Sequence, residues 1–174
     1  MDRAQAERLM PLAEALLAEA GAAWGDLDAV GVCTGPGNFT GIRIAVAAAR
    51  GIALGLGRPA IGVTRLEALA EGVAGGCLVT LDAGRGAAWV QAFRDGAALG
   101  PAEMAQAARL PEIAPDLPRV GWAAGADQRA DPAAIARIAR GRIGRAGPPP
   151  APLYLRHADA APPSEAPPPL LDDA

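Results

Sequence analysis

Lysine is absent from this chain, and all sixteen of its cationic side chains are arginine. A phosphate-binding P-loop needs a lysine ammonium that reaches the outer phosphates, so that chemistry is excluded. Histidine occurs once, at His157, and serine once, at Ser164. Both stand in a proline-rich C-terminal stretch, which leaves no credible Ser-His-Asp arrangement. No spacing of Cys, His and Asp suits a metal ion, and His157 reads as a solvated surface residue. Aromatic residues make up 3% of the chain, so Ala, Val, Leu and Ile must fill the core. Small side chains bury little area each, and helices and strands must therefore approach closely. Cys33 and Cys77 are the only cysteines. They lie in apolar, strand-like runs and read as reduced, buried thiols of a reducing, cytoplasmic compartment. The start, Met1-Asp2-Arg3, leads into an amphipathic segment, and no uninterrupted apolar run long enough to span a bilayer is expected. The net charge of -3 offers no general attraction for nucleic acid phosphate, so any role near a nucleic acid would pass through a partner.

What is present alternates in period. Residues 5–20 read as a helix with Leu9, Leu12, Ala13, Leu16, Leu17 and Ala20 on one face. Asp2 with Gln5 resembles a capping box, and Gly21 a C-terminal stop. Residues 30–34 form a short buried strand, followed by the turn Gly35-Pro36-Gly37-Asn38-Phe39-Thr40-Gly41. A second helix is predicted over 40–56, with Thr40 capping or starting it. That helix is lean, and its Gly51 and Gly55 each cost about 1 kcal/mol against Ala, which suggests that something packs very close. Residues 59–63 read as a strand, and Thr64-Arg65-Leu66-Glu67 as a capping box opening a third helix through Glu71. Residues 78–81 and 88–93 read as a hairpin around Asp82 to Gly86. Residues 101–110 are predicted helical and 119–123 a strand. Asp131-Pro132 marks the start of a helix over 132–140. This order predicts an α/β chain of two lobes, 1–72 and 73–146, with a boundary in the glycine-rich Glu71 to Gly76, and a Pro-rich tail over 147–174 whose ordered segment lies near 153–156.

The strand-turn-helix around Gly35 is the strongest chemical signal. As a dinucleotide fingerprint it fails: the third glycine falls one position late, at Gly41, Pro36 lacks an amide donor, and no acid ends the next strand. An anion site at the helix N-terminus needs only free amides and stays open. The bland reading is a tight turn with close helix-strand packing. Asp82 and Arg85 invite a catalytic or anion-binding reading, but an Asp at a hairpin entry ordinarily satisfies turn amides.

The run Gly35-Pro36-Gly37-Asn38-Phe39-Thr40-Gly41-Ile42-Arg43-Ile44 resembles the signature of the TsaB/YeaZ family, in which Ser usually stands where Asn38 is found. Residues 5–11, 63–70, 81–85 and 153–160 resemble further family segments in the same order, so the resemblance spans about residues 4 to 160. It implies the actin-like, RNase H-like ASKHA fold. It also implies a leading strand ending in Asp-Thr-Ser and two further strands before the first helix; the chain opens where that helix begins, so the first lobe is expected to be truncated, with the strand at Val30 exposing an edge. A misplaced start codon or a truncated gene model is the expectation attached to this.

For function, the resemblance implies a non-catalytic partner subunit in tRNA N6-threonylcarbamoyladenosine (t6A) synthesis. Such a subunit pairs with and activates a TsaD-like transferase, a TsaE-like ATPase docks on the pair, tRNA is met only indirectly, and a homodimer forms through the same surface. The first helix has Gln5 and Glu7 where the catalytic relative has paired His, and no cofactor is expected. The candidate interface residues are Arg8, Leu9, Leu12, Leu16, Arg43, Ala47 and Arg50, with about half of the apolar ones assigned to the core. The alternatives from other classes are a nucleotide-binding ATPase of the actin-like fold and a nonfunctional fragment.

Overall fold

The computed structural model describes residues 5–145 and 147–155. Asp2, expected to cap the first helix, and the end of the resemblance from Arg156 onward, with His157 and Ser164, lie outside them.

Helix α1 (Gln5–Glu19) leads through a 3-10 turn (Trp24–Asp26) into strand β1 (Val30–Cys33). Helix α2 (Phe39–Leu56), strand β2 (Ala60–Val63) and helix α3 (Arg65–Ala70) follow. Strands β1 and β2 are parallel, in register Val30 to Ala60 through Cys33 to Val63. A two-stranded sheet holds only with a cover on each face. On one face Val32, Val46 and Ala49 pack together with Val30, Ile42 and Ala45, which seats α2. On the other, Val63, Ala68, Ala134 and Ala139 pack with Ile61, Ile135 and Ile138, which seats helix α4 (Pro132–Arg142). Helix α4 comes last in sequence among these elements yet covers the β1–β2 sheet. Among the described residues β1 pairs only with β2, so its other edge carries no strand.

The second sheet is built on strands β3 (Gly76–Gly84) and β4 (Ala87–Arg94), an antiparallel hairpin with an irregularity between Asp82 and Gly84. Both faces of β3 are buried, which explains its near-continuous apolar run. Cys77, Val79 and Leu81 pack with Leu66, Ala70 and Phe93 under α3. Leu78 packs on the other face with Ala88, Val90 and Leu110. Strand β5 (Ala97–Ala98) and strand β6 (Glu103–Gln106) both pair antiparallel with β4, and strand β7 (Arg119–Gly121) lies parallel to β3. The one buried hydroxyl in this sheet is satisfied: Thr80 Oγ1 donates to the Val120 carbonyl at 3.0 Å and accepts from the Ala123 amide at 2.9 Å.

Two expectations are corrected. Residues 101–110 do not form a helix. Met104 and its neighbours pair with Trp89 and Val90 in strand β6, and a 3-10 segment (Ala107–Glu112) follows. Helix-forming side chains there yield to the open edge of β4, a tertiary override of local propensity. Close packing at Gly51 and Gly55 is also absent: a Cβ at either would meet nothing within 4 Å. Close approaches to the β1–β2 sheet include Gly31, where a Cβ would sit 3.0 Å from Ala139 Cβ, and Gly62, where it would sit 2.9 Å from Thr34 Cγ2 and 3.2 Å from Pro150 Cβ. By length and composition alone α2 could cross a bilayer, with mean hydropathy 1.5 over 18 residues. Arg43 and Arg50 interrupt it, and Val46, Ala49 and Ala53 are buried against the rest of the chain.

These glycines make opposite predictions. Gly62→Ala forces a buried, β-branched neighbour to move and should cost about 1–3 kcal/mol. Gly51→Ala fills open space on an exposed helix and should stabilise by about 0.5–1 kcal/mol. Urea unfolding of the two variants reads both signs.

Candidate functional site

The glycine turn is held by backbone groups from distant segments. The Thr34 amide donates to the Val63 carbonyl at 2.9 Å, extending the β1–β2 pairing. The Thr34 carbonyl accepts from the Leu153 amide at 2.8 Å, and the Gly35 carbonyl from the Arg65 amide at 2.7 Å. Gly35 has φ +100, a conformation open to glycine, and a Cβ there would lie 2.7 Å from Ile42 Cδ1. The Gly35–Pro36 peptide bond is cis. The Arg65 guanidinium donates to the Gln128 carbonyl at 2.7 Å and to the Pro36 carbonyl at 3.4 Å. Burial draws Arg65 below its ordinary pKa, with Cys33 and Asp127 pulling the other way. Gln128 in turn accepts from the Asp82 amide at 2.7 Å through its side chain. The turn therefore ties β1, β2, α3 and the 147–155 segment together, and Gln128 links Arg65 to β3.

The family motif divides at Asn38. Gly35 and Pro36 are buried and serve this junction. Asn38, and not Thr40, is the N-cap of α2: its Oδ1 accepts from the Gly41 amide at 2.8 Å. Asn and Ser are comparable caps, which explains why Asn38 fits where the family signature has Ser. The cap also occupies one amide that an anion at this helix end would need. Asp82 serves its turn, with Oδ1 accepting from the Gly84 amide at 2.7 Å, and Arg85 is an exposed turn residue at φ 55. No group of three or more His, Cys, Asp and Glu suited to a metal occurs among the described residues.

Beyond Asn38 the motif turns outward. Phe39 is 53% exposed and Tyr154 is 46% exposed, and their ring centroids lie 5.1 Å apart. The Arg43 guanidinium stacks over Phe39 at 3.8 Å from the centroid and donates to Tyr154 Oη at 2.8 Å. This preformed trio stands at the first turns of α2. Ala47 and Arg50 continue the same helix face, and both are exposed, as is Leu54 at 83%. The remaining candidates lie on α1. Arg8 is exposed and Leu9 is half-buried with Ala13 and Leu17 at helical spacing. Leu12 and Leu16 are 58% and 56% exposed, so the apolar face of α1 is split between contact with the chain and solvent. All seven interface candidates are thus wholly or partly at the surface. Tyr154 and Arg65 were not among the candidates. Tyr154 stands 111 residues from Arg43, and no local pattern encodes that pairing.

Loss of the cap is testable alone: Asn38→Ala should cost about 1 kcal/mol in urea unfolding, and Asn38→Ser a few tenths or less.

Comparison with known proteins places these features. The family model for the tRNA N6-adenosine threonylcarbamoyltransferase, TsaD, matches residues 1–110. The chain is 38% identical over 172 residues to an uncharacterized protein of Mycobacterium tuberculosis, covering 92% of this chain and 79% of that one. It is 34% identical over 117 residues to the tRNA threonylcarbamoyladenosine biosynthesis protein TsaB of Escherichia coli, covering 64% of this chain and 51% of TsaB. A crystal structure of a protein with similarity to peptidase YeaZ from Pseudomonas aeruginosa matches with TM-score 0.65 and 25% identity, over 88% of this chain and 85% of that chain. YeaZ from Pseudomonas aeruginosa matches with TM-score 0.55 and 31% identity, over 63% and 56%. The fold is the actin-like one of these YeaZ structures, and the chain belongs to the TsaB/YeaZ family.

Proposed function

We propose that this chain is a non-catalytic, cytoplasmic accessory subunit in t6A synthesis, which pairs with a TsaD-like transferase through the exposed faces of α1 and α2. The observation that carries the reading is the surface itself. Leu12 and Leu16 of α1 and Phe39 and Leu54 of α2 are large apolar side chains more than half exposed. Exposed apolar residues grouped this way mark interaction surfaces. An aromatic–Arg cluster already held in place, Phe39–Arg43–Tyr154, is the composition of an interface hot spot and loses little side-chain entropy on docking. The open flank at Gly51 lets a second helix come close.

In this reading the subunit acts by differential binding. It favours the active conformation of the transferase by binding that conformation more tightly. A TsaE-like ATPase docks on the assembled pair, the transferase handles tRNA and the activated threonylcarbamoyl group, and the same face closes a homodimer when the transferase is missing.

Leu12→Glu with Leu16→Glu places two charges in the docking face and leaves both cores untouched. Affinity for the organism's own TsaD-like subunit, read by calorimetry, should fall at least about tenfold, a loss of about 1.4 kcal/mol or more. The thermal transition should stay in place, and t6A in tRNA of a strain depleted of its own TsaB-like protein should no longer be restored. Unchanged binding and full restoration of t6A would refute the assignment.

A further inference from the structure

We propose that the groove around residues 147–150 binds the phosphate backbone of RNA. Two clefts, of about 560 and 520 Å3, open on either side of this segment, and Pro59, Ala60, Gly147, Pro149 and Pro150 line both. Arg142 and Arg145 border the first, Arg50 and Arg58 the second, and no carboxylate lines either. The chain carries 19 acidic residues against 16 arginines, so a groove with four arginines and no acid runs against its overall balance.

The pairing pattern sharpens the contrast. Elsewhere Arg109, Arg129 and Arg137 each meet a carboxylate. Within the groove Arg142 is engaged, donating to the Gly62 carbonyl at 2.7 Å and to Glu67 at 2.5 Å. That bond fixes the floor of the first cleft to β2 and α3. Arg50, Arg58 and Arg145 are exposed, and among the described residues none of the three has an acidic partner within salt-bridge distance. Like charges bordering two clefts that share a wall repel each other, and a bound polyanion relieves that repulsion.

Joined clefts of this size exceed one phosphate ion and suit consecutive phosphates of a polymer. Guanidinium groups match phosphate oxygens in pairs. The first cleft lies apart from the docking face, whereas Arg50, Gly51 and Leu54 of α2 border the second, so RNA and a protein partner meet at that edge. The net charge of the chain hides this local site, and contact with tRNA then need not be wholly indirect. The choice of RNA rests on the proposed place in tRNA modification; the arginine groove does not.

The test is fluorescence anisotropy of the full chain with a fluorescein-labelled tRNA transcript. Three phosphate contacts predict that affinity falls about 20- to 40-fold between about 50 and 200 mM salt. Arg58→Glu with Arg145→Glu, which spares Arg50 and the docking face, should weaken binding at least about tenfold and flatten the salt slope by about two, with the thermal midpoint unchanged. Equal affinity of wild type and variant, or no binding at low salt, overturns the proposal. So does poly-glutamate that displaces the RNA at equal charge concentration, since the occupant is then an acidic protein segment. Complex formation with the TsaD-like subunit is measured in parallel. Loss of RNA binding by wild type with that complex intact removes the groove inference alone, whereas loss of both removes the reading from which RNA was chosen.

Discussion

The backbone of Thr34, Gly35 and Pro36 is the constraint on which the rest depends. Its carbonyls accept from the Leu153 and Arg65 amides and from the Arg65 guanidinium. Each is a buried polar group that would be costly to leave unpaired. Through them strand β1, helix α3 and the 147–155 segment share one junction. The two-stranded sheet would be marginal by itself; α2 and α4 close its faces, and the junction fixes where both begin and end their approach. Glycine at position 35 is a geometric need, with φ +100 and Ile42 Cδ1 filling the space of a side chain.

From that junction the motif changes role within a few residues. Its buried half holds the fold, and its exposed half, from Phe39 onward, presents a stacked aromatic–Arg cluster beside an open helix flank. A motif that looks like a ligand loop therefore acts as a hinge between interior and surface. The described residues here contain a capped helix end, a satisfied turn carboxylate and exposed apolar side chains.

Much of this was legible in the amino-acid order. Period and capping residues placed α2, α3 and α4 within a few residues of their ends, because Thr64–Glu67 and Asp131–Pro132 carry their own hydrogen-bond logic. The hairpin was legible from its apolar runs and its Asp–Gly turn. The strand at Glu103–Gln106 was not, since its side chains favour a helix and only the edge of β4 selects a strand. Thr40 was expected to cap or start α2, whereas the cap is Asn38, two positions earlier and the stronger capping residue type. For the site, the resemblance directed attention to α1 and α2, whereas the close packing expected at Gly51 and Gly55 is absent. Glycine in a helix signals either a close neighbour or an open flank, and the two leave the same letter. Tyr154, Arg58 and Arg145 act through contacts or clefts assembled from remote segments, which no local pattern contains.

The central claim is that the exposed α1 and α2 faces are complementary to a transferase subunit. Size-exclusion chromatography with light scattering, on this chain mixed with the TsaD-like subunit of its own organism, tests it most directly. The account predicts a one-to-one complex that forms at micromolar concentration and replaces any homodimer. Separate elution of the two proteins, with the mass of each unchanged by the other, would contradict it.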